Sequence, residues 1–281
     1  MKAEVKNALT WVFKLIDHAS KFRLLTFLYE WSIVSLDIET LIIALLLLIA
    51  ALLYSSVGHG GASGYIAAMS LLGVAPAVMK PTALALNIVV SSVAIFKFYR
   101  AGSFSWQLFI PLAATAIPMA YIGGAITLPI HWYKPLVGVV LVYAAWRSFR
   151  TAQGASNYQV QQVSAGVLCA VGAVLGLLSG LTGVGGGIFL SPLLLFFRWA
   201  SVKVISGVAA AFILVNSTAG ILGVMSTDVQ FHPGLPLWAL VVLVGGFIGA
   251  EYGSKRLANP VIQRLLALVL LVAGVKMILT L

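Results

Sequence analysis

The chain has 281 residues, of which 61% are hydrophobic and only 9% charged, with a mean hydropathy of +1.07. A soluble domain carries about 25% charged residues, and this chain could not cover a water-facing surface with so few, which excludes a cytosolic enzyme, a nucleic-acid-binding module and a disordered protein. The net charge of +10 comes from 17 Lys and Arg against 7 Asp and Glu, and these basic residues sit mainly at the ends of apolar runs, where they mark positive-inside topology and contact with anionic lipid headgroups.

Residues 1–36 form the first segment. Val12, Leu15, Ile16, Ala19 and Phe22 fall on one face at helical spacing, with Lys14, Asp17, His18 and Lys21 opposite. This pattern predicts an amphipathic helix lying in the membrane interface, with Trp11 and Trp31 near the headgroups, or else a poorly ordered tail. No signal-peptide cleavage pattern is present.

From Leu41 onward long apolar stretches recur, and at ~20 residues per span they predict an all-α polytopic membrane protein with about eight to ten helices. The chain divides into a first repeat over 37–150 and a second over 151–281. In the first, apolar elements run over 40–57, 62–75, 82–98, 104–128 and 135–149. In the second they run over 162–181, 187–198, 203–226, 236–254 and 261–281. The duplication rests on a register: sliding by 125 residues superposes Gly58, Gly60 and Gly61 on Gly183, Gly185 and Gly186, and Ser92 on Ser217. One further residue aligns Tyr121-Ile122-Gly123 with Phe247-Ile248-Gly249. The second element of each half follows its glycine cluster and is too short to cross ~30 Å of hydrocarbon alone.

Charge placement sets the relation of the halves. If they are inverted, one side collects Lys97, Arg100, Arg147, Arg150, Arg198, Lys203, Lys255, Arg256 and Arg264. The other side then collects Lys80, Lys134 and Lys276 together with Asp37, Glu39 and Asp228. A parallel arrangement weakens this asymmetry. The sequence therefore predicts inverted repeats with glycine-broken short helices and a cytoplasmic basic side, in the inner membrane of a bacterial cell.

The chemistry centres on the two clusters, Gly58-His59-Gly60-Gly61 and Thr182-Gly183-Val184-Gly185-Gly186-Gly187. Consecutive glycines break a helix at membrane depth, and the freed backbone must be satisfied or line a cavity. The second half of a broken helix presents N–H donors and a partial positive charge, a setting for an anion. Two breaks at equivalent positions point to a central site; close helix packing through small residues is the alternative use of these glycines. Ser63, Asn87, Ser91, Asn216 and Ser217 supply neutral hydroxyl and amide groups near it, with Asn87 and Ser91 four apart on one helical face; interhelical hydrogen bonding is the alternative use of these side chains. Histidine is the side chain whose charge changes most readily around neutral pH, which makes His59 a candidate for proton coupling, with a neutral structural histidine as the alternative. Glu251 is a second candidate, although its spacing to Lys255 also suits an ion pair.

Gly183-Val184-Gly185-Gly186-Gly187 followed five residues later by Pro192, with the two-fold repeat, the length, and the small-residue-rich Asn216-Ser217-Thr218-Ala219-Gly220, resembles the sulfite exporter TauE/SafE family over about residues 40–281. The first half departs from that motif, with His59 at the second position, Ala62 for the last Gly and Ala67 where Pro192 would fall. The resemblance implies a transporter of small sulfur-containing or organic anions such as sulfite, sulfonates or sulfoacetate.

Ser63 lies near His59, but no acid completes a triad and there is no Gly-x-Ser-x-Gly elbow, so a membrane-embedded hydrolase has little support. No Walker A motif, metal-ligand spacing or cofactor motif occurs. The reading is a secondary transporter working by alternating access, with an anion channel through a glycine-lined pore as the rival. Its partners are a small anion and the bilayer, with no nucleic acid.

Overall fold

The computed structural model describes residues 37–151, 159–226, 229–255, 270–271 and 274–279. Every regular element among them is helical: α1 (Ile38–Ser55), α2 (Ala62–Leu71), α3 (Pro76–Arg100), α4 (Trp106–Ala125), α5 (Ile130–Thr151), α6 (Ala165–Thr182), α7 (Gly187–Phe196), α8 (Val202–Val224) and α9 (Leu235–Lys255), with further helical residues over 274–279. Six of these, α1, α3, α4, α6, α8 and α9, are long and apolar enough to span a membrane. The amphipathic segment expected over 1–36, and most of the element expected over 261–281, lie outside the described residues.

The expected elements are all found where they can be compared, with shifted ends. The largest shift is at α3, which begins at Pro76 rather than at residue 82. Pro76 occupies the first turn, where a missing N–H costs nothing, and the helix runs on through Pro81. This early start brings Lys80 into the helix.

The 125-residue register extends to the backbone. Residues 62–71 and 187–196 form α2 and α7, both preceded by a left-handed glycine, Gly61 (φ 112°) and Gly186 (φ 79°). Both helices end alike. Gly73 and Val74 N–H donate to Ser70 and Met69 carbonyls, and Arg198 and Trp199 N–H donate to Leu195 and Leu194 carbonyls. The left-handed residue closing the first is Gly73 and the second Arg198 (φ 56°), the latter the one described non-glycine residue with positive φ.

The six long helices form a row in the order α1, α9, α3, α8, α4, α6, with α2 lodged between α1 and α3 and α7 against α8. Small residues let the backbones approach. On α6, a Cβ at Gly172, Gly176 or Gly180 would meet the Leu112, Ala116 or Ala120 carbonyl oxygen of α4 at 2.3, 2.4 and 2.2 Å. On α9, a Cβ at Gly245, Gly249 or Gly253 would run in the same way into the carbonyls of Leu48 and Leu52 of α1 and of Ser56, which caps it. This four-residue spacing is how helices associate where lipid gives no hydrophobic drive.

The helix ends gather at two faces. At one, Trp238 Nε1 of α9 donates to the Thr40 carbonyl of α1, His232 N–H donates to Thr82 Oγ1 of α3, and Lys80 Nζ donates to the carbonyls of Gly123, Gly124 and Ile126 at the end of α4. Asp37 begins α1 there; hydrogen bonding from the Thr40 side chain and from the Thr40 N–H, the latter at 2.8 Å, holds its pKa below the usual value. At the other face, Gly207 near the start of α8 packs on the Ser103 carbonyl after α3, and Gln161 N–H donates to the Arg198 carbonyl. Lys97, Arg100, Arg198 and Lys203 belong to this second face. Lys97 of α3 pairs with Glu251 of α9 and lies 4.0 Å from the centre of the Phe247 ring. The ion pair of Glu251 thus comes from a neighbouring helix, because α9 packs along α3; the Lys255 side chain lies outside the described residues.

Candidate functional site

The two glycine clusters converge on one side chain. Asn87 lies near the middle of α3 and is fully buried. Its Oδ1 accepts the N–H of Ala62, the first residue of α2, at 3.1 Å. Its Nδ2 donates to the Val184 carbonyl, inside the second cluster, at 3.4 Å and to Ser217 Oγ of α8 at 3.3 Å. Both breaks close around this amide. A Cβ at Gly60 would lie 2.4 Å from Asn87 Oδ1 and 2.9 Å from Ile213 Cγ2. A Cβ at Gly185 would lie 2.4 Å from Asn87 Nδ2 and 3.0 Å from the same Ile213 methyl. Glycine is required at both positions by this approach, and at Gly185 also by a φ of 83°.

Other groups hold the broken backbone. Tyr65 OH donates to the Gly60 carbonyl at 2.8 Å, and Tyr133 OH donates to the Thr182 carbonyl at 3.3 Å. Thr182 Oγ1 donates to the Leu178 carbonyl and accepts the Val184 N–H. Gly58 packs on the Ser206 backbone, and Gly183 on Lys80, whose Cγ would lie 3.1 Å from a Cβ there. Gly187 packs on Ile213. The first turn-closing bonds of the short helices are Tyr65 N–H to the Gly61 carbonyl, and Phe189 and Leu190 N–H to the Gly186 carbonyl. The N–H groups ahead of them have no helical acceptor.

Of the side chains singled out in sequence, Asn87, Ser217, Thr182 and all the cluster glycines come together here. Ser63 is buried one residue into α2. Ser91 is buried, but its hydroxyl turns back onto the Asn87 carbonyl of its own helix. His59 is half-buried, its ring edge-on to Tyr54 with centroids 6.3 Å apart. Asn216 is fully buried, and neither amide atom has a hydrogen-bond partner among the described residues. Glu251 lies away from this point, at the basic face with Lys97. Sequence reasoning missed Tyr65, Tyr133, Ile213 and Ser179. Ile213 and the two tyrosines carried no signal, since apolar and aromatic side chains are everywhere in such a chain. Ser179, at the head of the second cluster, is fully buried with its hydroxyl unpartnered. Among the described residues, no group of three or more His, Cys, Asp or Glu could hold a metal ion.

Comparison with known proteins places this arrangement. The model of the sulfite exporter TauE/SafE family matches residues 43–277. The chain is also similar to "Probable membrane transporter protein y4hK" of Sinorhizobium fredii, at 38% identity over 246 residues, which is 86% of this chain and 100% of that protein. No solved structure matches significantly. With six helices among the described residues able to span a membrane and a family match over residues 43–277, the chain is a multi-pass membrane transporter belonging to the sulfite exporter TauE/SafE family.

Proposed function

We propose that this transporter carries a small sulfur-containing anion, sulfite or an organic sulfonate such as sulfoacetate, by alternating access between two inverted halves. The observation that carries this reading is the convergence of both glycine breaks on the Asn87 amide and the Ile213 methyl, at mid-depth and buried. Each break begins a short helix whose N-terminus favours negative charge. Neutral donors there can replace the hydration of an oxyanion without fixing it by a full charge.

Inversion is supported by the row of helices. Under the 125-residue register, α1 corresponds to α6, α3 to α8 and α4 to α9, so the row α1-α9-α3-α8-α4-α6 reads the same from either end. Corresponding helices start at opposite faces: α1, α3 and α9 begin beside Thr40, Thr82 and Trp238, whereas α8 begins beside Ser103. Lys97, Arg100, Arg198 and Lys203 then share one side, the cytoplasmic one by the positive-inside rule.

The glycine clusters are buried in this conformation, which favours a carrier over a channel with a continuous pore. Movement of one half against the other across the α3–α8 contact would expose the site to each side in turn. His59, beside the first break, is the candidate for coupling a proton. The test is anion uptake into proteoliposomes by Gly186→Asp and Gly186→Ala. A carboxylate at the start of α7 opposes both dipole and substrate, so Gly186→Asp should abolish uptake, while Gly186→Ala, which brings the same left-handed strain and crowding of Phe212 and Ser179 but no charge, retains part of it. A folded Gly186→Asp protein with normal uptake would overturn the proposed site.

A further inference from the structure

The two short helices are built alike but finished differently. At α2 the leading N–H, that of Ala62, is already occupied by Asn87 Oδ1. The residue that corresponds to Asn87 in the second half, 125 positions on, is Phe212. Its ring lies against the start of α7: a Cβ at Gly186 would be 2.9 Å from Phe212 Cε1 and 3.3 Å from Ser179 Cβ. A phenyl ring offers no acceptor like an amide oxygen, so the plug that closes α2 has no counterpart at α7.

Around this open end stand polar groups with nothing to bind. Ser179 Oγ and both amide atoms of Asn216 have no partner among the described residues, and both residues are 0% exposed. Asn216 lies one helical turn beyond Phe212, which touches Gly186, and directly before Ser217, whose hydroxyl would lie 3.2 Å from a Cβ at Gly185. It therefore flanks the same break as Ser179. Buried amides without partners are rare in folded proteins, and each calls for an explanation. Lys80, which packs on the neighbouring Gly183, commits its Nζ to three carbonyls at the end of α4.

We propose that the α7 N-terminus, Ser179 and Asn216 form a single subsite for a small monoanionic oxyanion that carries its own hydrogen-bond donor, and that the α2 terminus, plugged by Asn87, holds none. This rests on the reading of the chain as an anion carrier. The donors are the backbone N–H groups at the start of α7, the Ser179 hydroxyl and Asn216 Nδ2, none of them charged. Such a set suits one negative charge better than two. Asn216 Oδ1 is an acceptor that a fully deprotonated oxyanion cannot satisfy, whereas a protonated one, or a sulfonate with a nearby hydroxyl, can. A buried acceptor left unmet then discriminates against ligands that lack the donor.

The test is isothermal titration calorimetry on the full chain in lipid nanodiscs with three probes: hydroxymethanesulfonate, ethanesulfonate and sulfate. The first two are monoanions of the same shape, and one alone carries a hydroxyl. Hydroxymethanesulfonate should bind at least about tenfold tighter than ethanesulfonate, with one site per chain, and sulfate most weakly. Asn216→Leu should erase the difference between the two sulfonates, and Ser179→Ala should weaken both. Phe212→Asn, which removes no polar group but restores the plug, should weaken both as well. Equal affinity for the two sulfonates in the unaltered chain, two sites per chain, or unchanged discrimination in a monodisperse Asn216→Leu protein would overturn the subsite while leaving anion transport intact. If none of the three binds, while sulfite and other anions also fail to bind, the carrier reading falls with it.

Discussion

Replacing Asn87 by Ala removes the group around which both helix breaks close. The substitution leaves the Ala62 N–H without its acceptor and the Val184 carbonyl and Ser217 hydroxyl without their donor. Side-chain hydrogen bonds within membranes average ~0.6 kcal/mol and reach ~1.7 kcal/mol. The Ala62 bond, at 3.1 Å and fully buried, belongs at the upper end, and the two longer ones near the average. Their sum is about 3 kcal/mol. Ser217→Ala deletes only one of the longer bonds and should cost ~0.6 kcal/mol. Reversible unfolding of the purified protein in mixed micelles would compare the two directly. The account requires Asn87→Ala to be several-fold more destabilising, and to lose transport even at temperatures where it stays folded. If it costs no more than Ser217→Ala, Asn87 is not the clamp between the breaks.

Three other outcomes follow from particular contacts. Gly176→Ala should destabilise by more than ~2 kcal/mol, since its Cβ would sit 2.4 Å from the Ala116 carbonyl oxygen of a packed helix; the same unfolding assay reads it, with Gly166→Ala, which has open space around it, as the control. Glu251→Gln should cost no more than ~1 kcal/mol, because the Lys97–Glu251 pair is partly exposed, and should leave transport pH-dependent; a flattened pH profile would instead make Glu251 a proton carrier. His232 stacks on Trp238, its Nδ1 accepts the Gly234 N–H, and burial lowers its pKa. Its folded value lies below its unfolded one, so the unfolded chain binds the proton first, and stability should fall as pH drops below ~6.5. That loss should be smaller in His232→Gln.

Much of this arrangement was legible in sequence because it depends on backbone. Left-handed turns and close approaches admit few residues other than glycine, so Gly58, Gly60 and Gly61 and their counterparts stand out at a fixed offset. Chain breaks at membrane depth leave no alternative signal. What could not be read was which polar side chain faces which partner. Asn87 and Ser91 share a helical face, yet one spans two breaks while the other bonds its own helix. Asn87 and Asn216 are both asparagines within apolar helices, yet Asn87 makes three hydrogen bonds while both amide atoms of Asn216 lack a partner among the described residues. The start of α3 at Pro76, six residues before the apolar run from residue 82, was not legible from hydropathy, because a proline in the first turn starts a helix without adding to the apolar stretch. Glu251 found its partner 154 residues away, across a helix contact that spacing along one helix cannot reveal.

The central claim, that a small sulfur-containing anion crosses by alternating access, is tested most directly by counterflow. Proteoliposomes containing the purified chain are loaded with unlabelled sulfite and diluted into a trace of labelled sulfite. A carrier whose site faces one side at a time must accumulate label transiently above its equilibrium level, and excess external unlabelled sulfite must abolish that overshoot. Label that only relaxes to equilibrium, with flux rising linearly with concentration, would mean an open pore and would contradict the account.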